Sequence, residues 1–301
     1  MDNSADKILC PVCGCKDLKI IGKPVVDEKA SAFIKLAYLV VQCKLCKYYF
    51  VTPQIDFSQN EWQKLYDEGY FPQMTGWHKK HRAIDVQNRL RWLSKSYNRK
   101  VENFLDVGCG EGLTLAEAFN MHWKATGIDI SDNRNNFAKN DQIHFIKGNL
   151  LDAALQDAYF DCAYMDSVLE HLTDPVKYMK ELNRIIKAGG VLYIGVPNED
   201  SLFNLIKRFV FILTGKKNIS AKIKPFALPY HVGGFNKNSL VKIAEVSGFK
   251  VISLRNFAAR FEFLKYKPLS KGFWLHLLLL PVDTAAIFIR KEAYYEAILT
   301  K

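Results

Sequence analysis

The sequence predicts an α/β fold in which a parallel β-sheet carries helices on both faces. From Val101 onwards, short apolar runs such as NFLDVG and KATGIDI alternate with helical segments such as EGLTLAEAF and DPVKYMKELNRIIKA. This alternation is typical of parallel sheets covered by helices. The chain has 301 residues, of which 49% are hydrophobic and 24% charged. It is long enough for one such domain plus a small additional unit, and its composition excludes global disorder and fibrous repeats.

The first part of the chain is marked by two C-x2-C pairs. Their members are Cys10, Cys13, Cys43 and Cys46. Four thiolates in this paired spacing are the ligand set of a closed, tetrahedral structural zinc site, and the alternative of four unrelated buried cysteines is disfavoured. Strands over 18–26 and 34–42 then predict a zinc ribbon over residues 1–52. Because such a unit has little core of its own, metal binding would supply much of its folding free energy.

Residues 53–100 predict a helical linker. Helices over about 58–68 and 79–96 would join the ribbon to the main domain. Three aromatic residues lie between or at the start of these helices: Tyr70, Phe71 and Trp77. They either pack against the core or form a lid over a ligand.

Residues 101–301 predict the main domain. It contains an insertion at about 198–234 that is basic and partly apolar. Within the domain, 131–140 (SDNRNNFAKN) predicts a helix, and 284–291 (TAAIFIRK) predicts the last strand. An apolar segment at 257–281 precedes that strand.

The loop DVGCGEG follows an apolar strand and precedes a helix, the setting in which glycine-rich turns bind nucleotides. Its acid and glycines are Asp106, Gly108, Gly110 and Gly112. A dinucleotide fingerprint would place its third glycine one residue later, at Leu113. The tighter spacing, preceded by an acid, favours a ligand that is cationic and lacks a pyrophosphate. Asp129, at the end of the next strand, is placed to accept hydrogen bonds from ribose hydroxyls. S-adenosylmethionine (SAM) meets this description.

The stretch from Val101 to Asn198 resembles the class I SAM-dependent methyltransferases. The resemblance rests on FLDVGCGEG, GIDIS, GNLLD, YFDCAYMDSVLEHLTDP and LNRIIKAGGVLYIGVPN, and it continues in PYHVGGFNKNSLVKIAEVSGF. It implies a Rossmann-like sheet that is mostly parallel with an antiparallel last strand. The N-terminal CPVCG…CKLCKYYFVTP resembles a zinc-ribbon-bearing branch, whose members often act on sugars, glycans or other small metabolites.

The same resemblance assigns roles to individual residues. The glycine loop would surround the methionyl part of SAM, and Asp129 would bind the ribose. Ile130 would lie against the adenine, and Asn149 and Leu150 would meet its edge, although many relatives have Asp at the place of Asn149. Asp166, at the end of the fourth strand, would point towards the reactive end of the cofactor.

Methyl transfer is an in-line displacement at a carbon bound to a sulfonium, so the protein must chiefly align the acceptor and exclude water. An acceptor hydroxyl also needs its proton removed, and O-methylation of a sugar, glycan precursor or other small molecule is the favoured reaction. His231 and Asp166 are the candidate bases. For Glu170 and His171, on one helical turn, we expect packing or capping.

The net charge of +11 is unevenly distributed, with +7 in residues 1–100, −8 in 101–200 and +12 in 201–301. The acidic middle suits a cationic ligand, and the basic ends suit an anionic acceptor or surface. One alternative is an RNA-directed methyltransferase that uses the ribbon and the basic flanks. Nucleic acid is the less favoured partner because MDSV, rather than Asn-Pro-Pro-Tyr, follows the fourth strand. Another alternative is a non-catalytic SAM-binding module.

Residues 202–224 mix bulky apolar side chains with lysines. Three interpretations of this segment are open: it contacts an anionic membrane, it forms a lid over an acidic acceptor, or it is a buried helix with a basic edge. The apolar 257–281 segment poses the same choice between membrane, partner and core. No run of uninterrupted apolar residues is long enough to span a bilayer, and the first residues lack a signal-peptide pattern. With few cysteines, which are clustered, we expect a cytoplasmic protein that these segments could bring to the cytoplasmic face of a membrane.

Overall fold

The computed structural model describes residues 8–65, 76–257 and 266–301, with the backbone alone described at 59, 60, 63 and 76–81. The strands are β1 Leu18–Gly22, β2 Leu39–Cys43, β3 Tyr49–Thr52, β4 Asn103–Val107, β5 Lys124–Asp129, β6 His144–Lys147, β7 Phe160–Asp166, β8 Ile186–Pro197, β9 Gly233–Gly234, β10 Lys250–Phe257 and β11 Tyr294–Thr300. The helices are α1 Glu28–Ser31, α2 Gln59–Leu65, α3 Gly76–Tyr97, α4 Leu113–Asn120, α5 Pro175–Ile185, α6 Leu202–Leu213, α7 Lys237–Val246 and α8 Lys271–Phe288.

Seven strands form the central sheet in the order β10-β11-β8-β7-β4-β5-β6. Neighbours from β8 to β6 run parallel, whereas β11 runs antiparallel to both β8 and β10. The predicted Rossmann-like fold class, with its antiparallel last strand, is confirmed. The chain passes from β4 outwards to β5 and β6 and then returns to β7 on the other side of β4. This reversal leaves a crevice at the carboxyl ends of the parallel strands, where open α/β sheets bind ligands.

A second sheet has the order β1-β2-β3-β9. Its first three strands come from the cysteine-rich segment, whereas β9 comes from the region after the insertion and pairs Phe50 with Gly233. Tyr48 and Phe50 also belong to the same buried cluster as Leu105 and Met165 of the central sheet. The N-terminal segment therefore shares a core with the main domain, and the division at residues 52 and 100 stays a prediction.

Two predicted elements are wrong. Residues 131–140 contain only a single 3-10 turn at Asn136–Ala138. The Asp and Asn side chains here bond to nearby backbone instead, as when Asp132 Oδ1 accepts from the Arg134 amide at 3.2 Å, and this competes with helix formation. The predicted strand at 284–291 lies mostly in α8, because the Leu and Ala residues of this helix favour helical structure. The last strand is β11 instead.

Several expectations for the linker can be compared with the structure only in part. The helices predicted over 58–68 and 79–96 correspond to α2 and to the longer α3. Tyr70 and Phe71 lie outside the described residues, and so does the side chain of Trp77. The proposed lid therefore stays a prediction.

Candidate active site

The glycine loop lies between β4 and α4 at the crevice. Gly108, Gly110 and Gly112 all adopt positive φ, at 73°, 48° and 77°. A Cβ at Gly108 would fall 2.3 Å from Val168 Cγ2, so only glycine fits there, whereas a Cβ at Gly110 would meet nothing within 4 Å. The loop thus turns tightly while leaving open space beside Gly110, into which a ligand can approach the backbone.

Asp106 is buried beneath this loop, with 2% of its surface exposed. Its Oδ2 has no hydrogen-bond partner among the described residues. Burial raises the pKa of this carboxyl well above its usual value, and the charges of Asp166 and Asp129 raise it further. A buried acid with an unsatisfied oxygen is a site prepared for a cation, and the ammonium and sulfonium groups of SAM fit that requirement.

Asp129 ends β5 on the opposite side of the loop. Its Oδ2 accepts a hydrogen bond from the Gly110 amide at 2.9 Å, and its Oδ1 accepts one from the Ser131 amide at 3.2 Å. These contacts fix the carboxylate at the crevice. Burial raises the pKa of Asp129, and the hydrogen bonds from backbone amides oppose that increase.

The three predicted adenine contacts follow β5 and β6 at the same edge. Ile130 is 59% exposed, as expected of a side chain available to a ligand. Asn149 Oδ1 instead accepts from the Leu151 amide at 2.9 Å, and Leu150 is buried. Of the three residues, Ile130 therefore has the apolar side chain that is most accessible to a ligand.

Asp166 ends β7 and is held by partners from distant parts of the chain. Arg89 Nη1 donates to Asp166 Oδ2 at 2.8 Å, and the Tyr294 hydroxyl donates to Oδ1 at 2.7 Å. Arg89, on α3, also donates through Nε to the buried Glu296 at 2.6 Å. Sequence reasoning missed Arg89 and Tyr294. An acid held by a guanidinium and a tyrosine hydroxyl is a fixed hydrogen-bond acceptor.

A second cluster lies beside Asp166. It consists of Glu170, His171 and His231. One carboxylate oxygen and one nitrogen from each imidazole lie within 4.8 Å of one another, and His231 Nε2 lies 3.9 Å from Glu170 Oε1. Glu170 is 1% exposed, and neither of its carboxylate oxygens has a hydrogen-bond partner among the residues described. Sequence reasoning expected Glu170 to pack. No local signal distinguishes it, because His231 approaches it from across the fold.

The ionisation of this cluster is governed by burial. Burial raises the pKa of Glu170 to about 8. It lowers the pKa of His171 to about 4 and that of His231 to about 3, with His171, Lys224 and Lys207 lowering the latter further. At neutral pH, Glu170 is therefore protonated and His231 is an uncharged imidazole.

The segment that carries His231 is fastened to the N-terminal sheet. The Val232 amide donates to the Glu170 carbonyl at 2.9 Å. A Cβ on Gly233 would fall 1.9 Å from the hydroxyl of the buried Tyr48, so this close approach requires glycine. A cavity of about 790 Å³, a size typical of small-molecule pockets, opens beside Tyr48 and Val232.

The four predicted zinc ligands converge at the end of the N-terminal sheet. Sulfur–sulfur distances are 3.5 Å for Cys10–Cys46 and 3.5 Å for Cys13–Cys43, and all four sulfurs lie within 4.8 Å of one another. Tetrahedral Zn–S bonds of about 2.3 Å require sulfurs about 3.8 Å apart. The tetrad is compatible with a structural zinc. Cys15, which is outside this set, accepts from the Asp17 amide.

We expect the purified protein to contain a single zinc ion that stabilises more than the ribbon. Cys13→Ser should lower the melting temperature of the whole chain, since the cysteine cluster shares its core with the central sheet. Elemental analysis and differential scanning calorimetry would measure both effects. Cys15→Ser is the matched control, and an equal loss of zinc in that variant would contradict the assignment.

A family model described as a methyltransferase domain matches residues 105–194. An uncharacterized 37.1 kDa protein in transposon TN4556 of Streptomyces fradiae is 35% identical over 112 residues, which cover 35% of this chain and 32% of that protein. A ubiquinone biosynthesis O-methyltransferase of Coxiella burnetii is 26% identical over 195 residues, 62% of this chain and 76% of that enzyme. The chain thus spans about a third of the first relative and three quarters of the second.

The structure of a SAM-dependent methyltransferase from Archaeoglobus fulgidus superposes with a TM-score of 0.51. It is 19% identical and covers 73% of this chain and 94% of its own, and this likeness concerns the fold. Together with the family match and the geometry of the glycine loop, it identifies the central part of the chain as a class I SAM-dependent methyltransferase domain. SAM is its cofactor.

Proposed function

We propose that this protein transfers the methyl group of SAM to a hydroxyl of a sugar, a glycan precursor or another small-molecule acceptor. The observation that carries the proposal is the pair of the buried Glu170 and the partly buried His231, whose nearest oxygen and nitrogen lie 3.9 Å apart at the carboxyl edge of the sheet. Hydroxyl acceptors need a base at this point, whereas an acceptor that is already a good nucleophile does not. The similarity to an O-methyltransferase supports the same reaction.

The cofactor would be held by the residues around the crevice. In this proposal, Asp106 faces the positive charge of the methionyl part, the backbone of Gly108, Gly110 and Gly112 approaches it, and Asp129 accepts from the ribose. Ile130 packs on the adenine, with Asn149 and Leu150 at its edge. The bound cofactor supplies a methyl group on a positively charged sulfur.

His231 would take the proton of the acceptor hydroxyl, which requires that the bound acceptor and an ionised Glu170 raise the pKa of its imidazole from the low value that burial gives it. Asp166 would position the reactive end of the site, since Arg89 and Tyr294 hold its two oxygens in place. Once ionised, Glu170 would stabilise the imidazolium that forms on His231. The segment around β9 would exclude water from the methyl group during transfer.

The acceptor is proposed to carry negative charge. Lys207 and Lys224 lie close enough to His231 to lower its pKa, so the acceptor side of the site has a positive potential. The last third of the chain, residues 201–301, contains 5 Asp and Glu residues and 17 Lys and Arg residues. A phosphate- or carboxylate-bearing acceptor would be attracted to this side.

The direct test is to incubate the protein with isotopically labelled SAM and fractions of sugars, sugar phosphates and glycan precursors, and to find the labelled product by mass spectrometry. Label in an O-methyl group supports the proposal. Label confined to nitrogen or carbon, or to RNA in a parallel incubation, would overturn it.

The rate should increase as the pH rises through about 8. Glu170 ionises in this range, and its charge then stabilises the imidazolium of His231. Glu170→Gln should remove this step from the profile of kcat against pH. A profile that keeps the step in the variant would assign it to another group.

The same titration affects stability with a definite sign. The carboxyl of Glu170 binds its proton more tightly in the folded protein than in the unfolded chain, so stability should fall as the pH rises from about 4.3 towards 8. Urea unfolding at pH 6 and pH 8.5 would measure this, and Glu170→Gln should show a smaller loss.

A further inference from the structure

Two helices leave the body of the protein with their apolar side chains exposed. Helix α6 has no buried residue, and Phe209 and Leu213 are 61% and 69% exposed. On α8, Leu278 and Phe288 are 75% and 84% exposed. The two helices contact each other, which brings their exposed apolar side chains to one region of the protein. A helix on the surface of an ordinary globular protein buries its apolar stripe, and contiguous exposure of this kind marks an interaction site.

Basic residues surround this surface. The segment 202–224 contains no Asp or Glu, and Lys216 and Lys217 follow the end of α6 after two residues. Lys271 begins α8, and Arg290 follows its end. An apolar face with a rim of Lys and Arg is complementary to the interface of an anionic bilayer, in which acyl chains lie beneath negative headgroups.

The surface lies at the same edge of the fold as the active site. Helix α6 follows the carboxyl end of β8, and α8 precedes β11, whose first residue Tyr294 bonds to Asp166. The chain excursion that contains α8 leaves β10 at Phe257 and returns at Tyr294, and these two residues are paired neighbours. Both ends of the excursion are therefore anchored at one point of the protein.

This anchoring favours a helix that lies on the bilayer. Among the described residues, α8 is the helix whose length and composition would allow it to cross a membrane, and 6% of it is buried. A crossing helix would leave one end on the far side, yet the chain enters and leaves at the same sheet edge. Asp283 within α8 also suits an interfacial position more than the hydrocarbon core.

We propose that α6 and α8 form a docking surface for an anionic lipid bilayer, which the protein binds peripherally with its active-site edge turned towards the membrane. Phe209, Leu213, Leu278 and Phe288 enter the acyl boundary, and the lysines around them contact the headgroups. The surface is independent of the acceptor's identity, so binding occurs whether or not the proposed methyl transfer is correct.

The test is flotation of the full-length protein with vesicles made of equal parts phosphatidylcholine and phosphatidylglycerol, compared with phosphatidylcholine alone. We expect binding to the anionic vesicles, with each of Lys216→Glu and Lys217→Glu reducing the partition coefficient by about fivefold or more. Phe209→Glu combined with Leu278→Glu should abolish binding. These side chains are exposed, and unchanged SAM affinity and melting temperature would show that the variant folds.

The matched control is Leu36→Glu, which also replaces an exposed leucine with a glutamate. Leu36 is 56% exposed and lies in the N-terminal part of the chain, outside the proposed docking surface. It should float like the unmodified protein. Equal binding to neutral and anionic vesicles, or no binding to either, would overturn the proposal. So would a concentration-dependent dimer in sedimentation analysis that Phe209→Glu dissociates, since a second copy would then cover this surface.

Discussion

Asp106→Asn should weaken SAM binding by about a hundredfold to a thousandfold, the effect of removing one partner from a buried charge pair. The substitution keeps the shape of the side chain and removes only its charge. Titration calorimetry with SAM and with an uncharged adenosine analogue would separate the two contributions. We expect the analogue, which has no cation for Asp106, to bind both proteins alike.

The same substitution should stabilise the protein without cofactor. Burial raises the pKa of Asp106, so the folded state holds its proton more tightly than the unfolded chain does. Stability is therefore lost as the pH rises from the pKa of this carboxyl in the unfolded chain towards its higher pKa in the folded protein. Asn removes this penalty, and we expect a gain of about 1–3 kcal/mol at neutral pH. If Asp106→Asn destabilises the protein while leaving SAM affinity intact, the acid is a structural residue and the cofactor assignment fails.

His231→Gln should reduce kcat by a factor of about 10² to 10⁴, the range typical of a lost general base, with SAM affinity unchanged. Glutamine retains hydrogen bonding and much of the volume, so the β9 segment should keep its place. The measurement is single-turnover transfer to the acceptor found by labelling.

The control for this experiment is His144→Gln, since His144 lies on the exposed side of β6 and away from the cluster. It should keep full activity. A further check is the thiol analogue of the acceptor, which ionises without help and should restore much of the rate to His231→Gln. Failure of that rescue would point to a positioning role for His231.

The glycine loop and Asp129 could be predicted because their chemistry is local: a strand, a tight turn and a helix follow one another in the sequence, and the spacing of glycines reports on the ligand. The zinc tetrad was predictable for the same reason, since each half is a short motif. The fold class followed from the alternation of strands and helices, which the sheet confirms.

The residues that sequence reasoning missed act across long separations. Arg89 meets Asp166 over 77 positions, and Tyr294 meets it over 128. No periodicity or motif contains such a pair. The helix α8 was misjudged for a different reason: its apolar run fits a buried strand as well as an exposed helix, and only its surroundings decide between them.

The two-residue strand β9 connects the sheet of the cysteine-rich ribbon to the segment that carries His231. Because Gly233 and Gly234 pair with β3 and follow His231 with only Val232 between, loss of zinc would loosen the proposed proton acceptor as well as the ribbon. Protein that lacks the metal would then transfer the methyl group more slowly, provided that His231 is the base proposed above. Zinc supply would in this way govern turnover without any metal touching the reacting atoms.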